Sequence, residues 1–280
     1  MSPLVSIIIL TRNALHYTEQ CIESILQHTN EAFELIFVDN GSTDGTLDYL
    51  QTVPNARCIR SEQNLGFAGG NNQGMTAATG EYICLLNNDT VVTPGWLTRM
   101  LVWLIKNPAI GIVGPRSNNV AWAQRVHPSY QTMTEMHQFA QEWTQQHKDQ
   151  GFVPHKLIGH CMLFHKELIH RIGFLDERFF PGNYEDDDFC LRARISGKQL
   201  WVANDVYIHH YGGSTFRANR FNYTSSALNN ADRFARKWSL GISGFELDHY
   251  GYQPSEIVER EKPFRAARHF IPAPSRLPSP

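Results

Sequence analysis

The chain has 280 residues, 42% of them apolar, which is enough to bury a sizeable core as one large domain or two fused halves. Its 25 basic and 27 acidic side chains leave a net charge of −2, which argues against a dedicated nucleic-acid-binding protein. The five cysteines are scattered without a CxxC pair, so a disulfide framework or zinc ribbon is excluded and a reducing cytosol is favoured.

The opening residues predict a strand rather than a targeting signal. Met1-Ser2-Pro3 runs directly into the apolar Leu4–Leu10, with no basic stretch and no small-residue cleavage site. No apolar run approaches the ~20 residues needed to span a bilayer. We therefore expect a cytoplasmic protein that is at most peripheral to a membrane.

The first part of the chain alternates strands and helices. Val5–Leu10 is a β-branched apolar run, typical of a strand buried on both faces, and Tyr17–His28 carries one apolar helical face. The remaining predicted strands are Phe33–Val38, Ala56–Ile59, Tyr82–Leu86 and Ile110–Val113, and the remaining helices start near Thr43 or cover Gly66–Ala78 and Trp96–Ile105. This alternation predicts a doubly wound α/β sheet.

The second part is less regular. Asn118–Gly151, rich in Gln, His and Thr, is predicted to be a loop or a mobile lid. Beyond it we predict strands at Leu157–Phe164, Gln199–Val202 and Val206–His209, and helices at Lys166–Arg171, Asp187–Ser196 and Ala218–Leu240. The last helix has an apolar stripe that includes Phe221 and a basic side of Arg220, Arg233, Arg236 and Lys237. That basic side suits anionic lipid, although a solvated face explains it more simply.

Polar residues follow three of the predicted strands, at Thr11-Arg12-Asn13, Asp39-Asn40-Gly41-Ser42 and Asn87-Asn88-Asp89. Ligands of open α/β sheets bind outside the carboxyl ends of the strands, so these residues are expected at one crevice. A turn with a helix cap explains the second group equally well. An acid such as Asp89 suits Mg²⁺ or Mn²⁺ when diphosphate oxygens complete the shell.

The four adjacent acids Glu185–Asp188 precede an apolar helix. The helix dipole and capping account for one or two of them, but four repel one another and raise at least one pKa, which suits a general base near neutral pH. His209-His210 ends a later strand and is followed by a glycine-rich segment. A histidine there could complete a metal shell, although a lone histidine is more often structural.

Together these motifs resemble glycosyltransferase family 2. The opening Val5–Asn13 and Val38–Gly45 resemble the family's first segments, and Asn64–Gly74 resembles its rhamnosyltransferase-like branch. Leu85–Thr90 is similar to that branch's Asp-x-Asp motif, and Tyr184–Ala193 to its Glu-Asp-x-Asp helix. The resemblance runs in order from about Leu4 to Phe216. It departs at Asn87, where the usual motif has its first aspartate.

The resemblance implies a GT-A fold: a mostly parallel nucleotide-binding sheet flanked by helices and fused to a smaller acceptor-binding half. We expect one domain over residues 1–252, with a nucleotide-sugar half at 1–115 and an acceptor half at 116–252, followed by a Pro-rich tail or linker at 253–280. It implies Asp186 as catalytic base and Asp89 with His209 as metal ligands, with His210 close behind. The donor pocket would be lined by Thr11, Asn13, Asp39, Asn64, Gly66, Asn87 and Asn88.

The implied activity is inverting transfer of a sugar from dTDP-rhamnose or a UDP-hexose to a hydroxyl of a glycan or lipid-linked acceptor, in polysaccharide biosynthesis. A divalent cation would stabilise the leaving diphosphate, and Asp186 would deprotonate the acceptor. A dinucleotide-binding oxidoreductase lacks support because Thr11-Arg12-Asn13 stands where GxGxxG is needed. A nucleotidyltransferase lacks support because the glycine-rich, basic signature of that class is missing at the end of the first strand. A catalytically silent nucleotide- or carbohydrate-binding module of the same fold remains the alternative.

Overall fold

A computed structural model describes residues 4–219 and 223–274. Its strands are β1 Val5–Thr11, β2 Phe33–Asp39, β3 Ala56–Arg60, β4 Tyr82–Asn87, β5 Thr90–Val91, β6 Ile110–Arg116, β7 Gly151–Phe152, β8 Cys161–His165, β9 Gln199–Tyr207 and β10 His209–His210. Its first six helices are α1 Leu15–His28, α2 Thr46–Thr52, α3 Gly66–Ala77, α4 Trp96–Lys106, α5 Met133–Gln146 and α6 Glu167–Ile172. The others are α7 Glu185–Ile195, α8 Ser214–Ala218, α9 Tyr223–Trp238, α10 Gly244–Tyr250, α11 Pro254–Glu261 and α12 Ala266–His269.

One eight-stranded sheet, ordered β3-β2-β1-β4-β8-β6-β9-β7, organises the molecule. β8 runs antiparallel to β4 and β6, and edge strand β7 runs antiparallel to β9, while the other pairs are parallel. The predicted, mostly parallel α/β sheet is therefore confirmed. Strands from both sides of residue 115 share this sheet, and the division into two halves stays a prediction. The described residues contain no helix long and apolar enough to cross a membrane.

Helices cover both faces of the sheet because its central strands are apolar on both sides. On one face, Ile7 and Ile9 pack with apolar residues of α1 and α4. On the other, Ile8 and Val38 pack with residues of α3, α6 and α7. The carboxyl ends of β1, β2 and β4 are left between these two layers, open to one crevice.

Residues 118–151 differ from the predicted loop or lid. They contain the 14-residue helix α5, which begins with a capping box between Thr132 and Glu135. Met136 and Ala140 of this helix are fully buried against Val91 and Tyr207. Met133, Phe139 and Trp143 are partly buried in the same cluster, so the apolar residues of α5 recur at helical spacing despite the surrounding glutamines and dock the helix.

The expected tail also differs over its described part. α11 and α12 follow residue 253, and Ile257 and Val258 join a third apolar cluster with α7, α9 and α10. Ile271 pairs with Gly173, and its carbonyl accepts from the Phe174 N–H at 2.9 Å. Contacts with residues distant in sequence, invisible to composition, order this segment. Residues 275–280 lie outside the described chain.

The last predicted helix corresponds to α9 over the described residues, and the predicted positions Arg220 and Phe221 lie outside them. Its basic side is largely engaged by protein. Lys237 forms ion pairs with Asp176 at 2.8 Å and Asp188 at 2.6 Å, and Arg233 donates to the Arg178 carbonyl at 2.8 Å. Exposed Arg236 fits the solvated face.

Helix α7 lies between two of these apolar clusters, so its charged residues are buried with it. Asp188 is fully buried, and Arg192, one turn later, donates to it at 2.8 Å. The same guanidinium donates to the carbonyls of Ile172 and Phe174, both at 2.7 Å. This arginine thus ties α7 to the end of α6 while neutralising Asp188.

Arg192→Met should destabilise the protein strongly, because it leaves the buried Asp188 with one cation fewer and removes the guanidinium that donates to the Ile172 and Phe174 carbonyls. We expect the free energy of unfolding, measured by urea denaturation, to fall by about 3 kcal/mol. The matched variant Arg236→Met, on an exposed position, should change it by about 0.5 kcal/mol or less. Equal effects of the two substitutions would contradict this role for Arg192.

Candidate active site

A cleft of about 1280 Å³ opens at the carboxyl ends of β1, β2 and β4. The predicted site residues on its wall are Thr11, Asn64, Gly66, Asn87, Asn88, Asp89 and Asp186, and His210 also lines it. Asn13, Asp39 and His209 are not among the lining residues. The strand-end rule therefore located the cleft, while the contacts of each side chain decided which residues reach it.

Asp39 and Asn13 brace the loops beside the cleft. Asp39 is fully buried, and its carboxylate accepts from the Ser42 N–H at 3.1 Å and the Thr11 hydroxyl at 3.3 Å. Asn13 accepts from the Thr43 N–H at 2.7 Å. These are the contacts of a turn, as the alternative explanation of residues 39–42 predicts, but the helix cap it included is absent, because α2 begins after Gly45 without a side-chain cap.

Asn40 is the residue of this segment that lines the cleft, and sequence reasoning did not single it out. Its side-chain NH₂ donates to Asn64 Oδ1 at 3.1 Å and the Gly66 carbonyl at 3.2 Å, and its oxygen accepts from the Leu65 N–H at 3.1 Å. Asn40 thus fixes the turn that starts α3. The signal was its place directly after the end of β2, where side chains of an open α/β sheet reach the ligand crevice.

Gly66 has no room for a side chain. Its φ is +71°, and a Cβ there would lie 2.9 Å from the Phe180 ring and 3.0 Å from the Pro181 carbonyl oxygen. The turn after Asn64 therefore packs against the segment that leads to α7. This contact joins the strand-end side of the cleft to its acidic side.

Asp89 forms the polar centre of the strand-end side. It is 3% exposed, its Oδ1 lies 3.1 Å from His210 Nε2, and its Oδ2 accepts from the Ser214 N–H at 3.2 Å. Burial works to raise the pKa of Asp89, but its hydrogen bond to His210, the charge of that ring and the Ser214 contact lower it on balance. The carboxylate is therefore held ionised inside the wall of the cleft.

His209 and His210 face opposite ways because they are successive residues of β10. His210 Nδ1 donates to the Asn119 carbonyl at 2.8 Å, which directs Nε2 at Asp89. His209 Nδ1 instead contacts the Tyr130 hydroxyl at 2.5 Å, and burial, followed by the charge of His210, lowers its pKa to about 4. The geometry brings His210, not the predicted His209, to Asp89.

The donor set at Asp89 fits a divalent cation. A carboxylate oxygen and an imidazole nitrogen converge, and the second ring nitrogen is fixed by a carbonyl, an arrangement common in metal-binding histidines. Over residues 4–219 and 223–274, no group of three or more His, Cys, Asp or Glu converges to hold a metal. Ligands from a bound substrate would therefore have to complete the shell.

Within the part of the chain that the structure describes, two of the four acids at the start of α7 form ion pairs with cations, and the other two do not. Asp188 contacts Arg192 and Lys237, and Asp187 contacts Lys156 at 2.8 Å and the Tyr252 hydroxyl at 2.9 Å. Asp186 receives backbone N–H groups instead, from Gly159 at 2.8 Å and Asp187 at 2.9 Å. The fourth, Glu185, keeps a buried oxygen without a hydrogen-bond partner.

This difference in partners gives Asp186 the properties of a base. Burial, followed by the charge of Asp187, raises its pKa to about 6, while Lys156 and the two N–H groups limit the rise. Burial and the charge of Asp186 likewise raise the pKa of Glu185. A carboxyl with a pKa near 6 is ionised at neutral pH yet can hold a proton during a reaction.

Comparison with known proteins identifies relatives along most of the chain. The model of glycosyl transferase family 2 matches residues 6–173. An N-acetylglucosaminyl-diphospho-decaprenol L-rhamnosyltransferase of Mycobacterium tuberculosis is 25% identical over 246 residues, which cover 78% of this chain and 79% of that protein. An uncharacterized glycosyltransferase of Haemophilus influenzae is 34% identical over 116 residues, covering 40% of this chain and 36% of that protein.

An uncharacterized protein of Sinorhizobium fredii is 26% identical and matches 92% of this chain, which spans only 30% of that protein. The chain thus covers about a third of several relatives that it matches.

Solved structures confirm the GT-A fold. The mannosyltransferase PcManGT of Pyrobaculum calidifontis, in complex with GDP-Man and Mn²⁺, superposes with a TM-score of 0.60 at 17% identity, covering 93% of this chain and 69% of that one. GalNAc-T7 with UDP, GalNAc and Mn²⁺ gives 0.62 at 12% identity, covering 95% and 56%. TarS of S. aureus gives 0.58 at 16% identity, covering 94% and 73%.

Asn40→Asp should destabilise the turn at residues 64–66, because a carboxylate would face Asn64 Oδ1 and the Gly66 carbonyl, which now accept from the amide. We expect the free energy of unfolding in urea to fall by about 2 kcal/mol. Asn30→Asp, the same change at an exposed position, should have little effect. A wild-type unfolding curve for Asn40→Asp would contradict the bracing role.

Proposed function

The chain belongs to glycosyltransferase family 2, and from this membership we propose that it is an inverting enzyme that transfers a sugar from a nucleoside diphosphate donor to an acceptor hydroxyl. The observation that carries the proposal is the shared cleft: Asp186, a buried carboxylate without a cation of its own, faces the same space as the Asp89–His210 pair. A base and a phosphate-metal site on one cleft are what direct displacement at a sugar requires.

In the proposed reaction Asp186 takes the proton of the acceptor hydroxyl as its oxygen attacks the anomeric carbon. The N–H groups of Gly159 and Asp187 hold the carboxylate in place, so that its orientation is fixed before the acceptor arrives. Asp89 and His210 would hold Mg²⁺ or Mn²⁺, which when bound supplies positive charge to the departing diphosphate. One displacement inverts the anomeric configuration.

The donor site is proposed at the strand-end side of the cleft. Thr11, Asn40, Asn64 and Gly66 line it with hydroxyl, amide and backbone groups, which suit a base and ribose. Two of the solved neighbours carry GDP-Man or UDP together with Mn²⁺, which supports a nucleotide-sugar donor with a divalent cation. dTDP-rhamnose or a UDP-hexose is proposed, the former because of the mycobacterial rhamnosyltransferase.

The acceptor side is proposed where the C-terminal helices reach the cleft. Ala227, Leu247, Asp248 and Tyr252 line that side, a mixture of apolar and hydrogen-bonding groups that suits a sugar. The mycobacterial relative is named for a lipid-linked acceptor. We therefore propose a glycan or lipid-linked acceptor in polysaccharide biosynthesis, with the enzyme working at the cytoplasmic face of a membrane.

A silent binding module of the same fold is the second candidate. Glu185, with one oxygen that has no hydrogen-bond partner, and Asp186, which has no ion-pair partner among the described residues, weigh against it, because a purely structural site gains nothing from burying two acids without cations. Release of nucleoside diphosphate from a donor by the purified protein separates the two candidates.

Asp186→Asn should lower the rate of nucleoside diphosphate release by about 10²–10⁴-fold, because the amide cannot accept the proton. The assay uses UDP-, dTDP- and GDP-sugars with Mn²⁺, and thermal shift should show that the variant still binds the donor. Since the pKa of Asp186 is about 6, the wild-type rate should fall as the pH drops through that value. Exposed Asp48→Asn is the control, and a fully active Asp186→Asn would remove this residue as the base.

His210→Gln should weaken Mn²⁺ binding in the presence of UDP by about tenfold or more, because it removes the nitrogen that faces Asp89. His209→Gln should bind Mn²⁺ nearly as the wild type does, since its ring contacts Tyr130. Isothermal titration calorimetry measures both. The reverse order of effects would restore His209 as the ligand.

A further inference from the structure

The segment of residues 156–159 runs along the first turn of α7. Its Lys156 ammonium contacts Asp187 Oδ1 at 2.8 Å and Oδ2 at 3.1 Å. Three residues later, the Gly159 N–H donates to Asp186 Oδ2 at 2.8 Å. The same segment thus binds two successive carboxylates, Asp187 through the Lys156 ammonium and Asp186 through the Gly159 N–H.

Gly159 keeps this segment close to the helix. A Cβ at this position would lie 3.3 Å from Asp186 Cβ and 3.5 Å from the Phe67 ring, so a larger residue would press on the base. Leu157 is fully buried and its carbonyl accepts from the Cys190 thiol at 3.7 Å. The segment is therefore anchored both at the base and one turn further along α7.

The ammonium of Lys156 is held in place from two sides. Asp187 binds it through both carboxylate oxygens, and Tyr252, between α10 and α11, donates its hydroxyl to the same carboxylate at 2.9 Å. The ammonium also lies 5.9 Å from the centre of the Tyr252 ring. Its side chain is 19% exposed, so solvent screens its charge only in part.

The charges around Asp186 make this cation important. Burial favours the neutral form of Asp186, and the charge of the neighbouring Asp187 adds to that effect. Asp188 is already matched by Arg192 and Lys237. Of the remaining neighbours, the Cys190 thiol and the Tyr252 phenol bring no positive charge, whereas Lys156 does.

We propose that Lys156, fixed by Asp187 and Tyr252, is a positioning residue whose charge keeps Asp186 in the ionised form that a base requires. This role rests on the proposed function of Asp186, but the electrostatic coupling between Lys156 and Asp186 exists without substrate. Lys156 itself need not touch the reacting groups. Asp187 holds the Lys156 ammonium in position, and the positive charge of Lys156 acts on Asp186 across the helix turn.

The direct test is a carboxyl ¹³C NMR titration of the full chain without substrate, with the Asp186 resonance assigned from its loss in Asp186→Asn. Lys156→Gln keeps a hydrogen-bond donor to Asp187 but removes the charge, and should raise the Asp186 pKa by about 1 unit or more. Lys156→Arg should titrate as the wild type does. Lys166→Met, which removes a lysine that donates to the Ala78 carbonyl, is the control.

The second readout is the pH profile of donor turnover. With the Asp186 pKa raised by about 1 unit, Lys156→Gln should lose about fivefold in rate at pH 6 and recover towards the wild-type rate at pH 9. A loss of equal size at every pH would mean that the lysine only stabilises the structure, and would overturn the proposal.

An unchanged Asp186 titration in a folded Lys156→Gln variant would likewise overturn it. If Lys156→Gln does not fold, Lys156→Met provides the same neutral comparison at a partly exposed position. If no nucleotide sugar is turned over by the wild type, the proposed function fails, but the NMR titration still decides whether Lys156 controls Asp186.

Discussion

Burial of four adjacent carboxylates at the start of one helix is the constraint on which the rest of the structure depends. α7 is apolar on the sides that face both the sheet and the C-terminal helices, so its first turn is removed from water along with it. An isolated buried charge is too costly to keep, and each acid therefore needs a partner or must hold its proton. The helix dipole favours negative charge at this end but cannot neutralise four groups.

The four acids differ in the side chains that contact them. Arg192 and Lys237 make Asp188 a structural ion pair, and Lys156 with Tyr252 does the same for Asp187. Arg192 belongs to α7 itself, and the other partners come from α9, from the segment before β8 and from the junction of α10 and α11. The C-terminal helices are thus part of what keeps Asp186 and Glu185 as the two acids left for chemistry.

The opposite wall of the cleft follows from strand geometry. Residues that end β1, β2 and β4 meet at one edge because those strands are parallel, which is why Thr11, Asn40 and Asp89 share a cleft although they are far apart in sequence. The alternation of side chains along β10 then selects His210 rather than His209. Asn119 and Tyr130 reinforce the selection by holding the two imidazoles in their orientations.

The sequence by itself determined the mostly parallel α/β sheet, most of its strands and the acidic helix that carries Asp186, because hydrophobic periodicity and strand-end motifs are local features of the chain. It also predicted the cleft at the strand ends, and all but Asn13, Asp39 and His209 of its site residues line that cleft.

Only the tertiary structure decided which histidine contacts Asp89 and which of the four adjacent acids lack cationic partners. It also decided that residues 118–151 and the described part of the C-terminal segment contain docked helices. Each of these depends on contacts between residues far apart in sequence, such as Arg192 with Ile172 or Tyr252 with Asp187. A local sequence pattern does not show which distant residue a buried charge will contact, and that contact decides whether the charge is structural or available for chemistry.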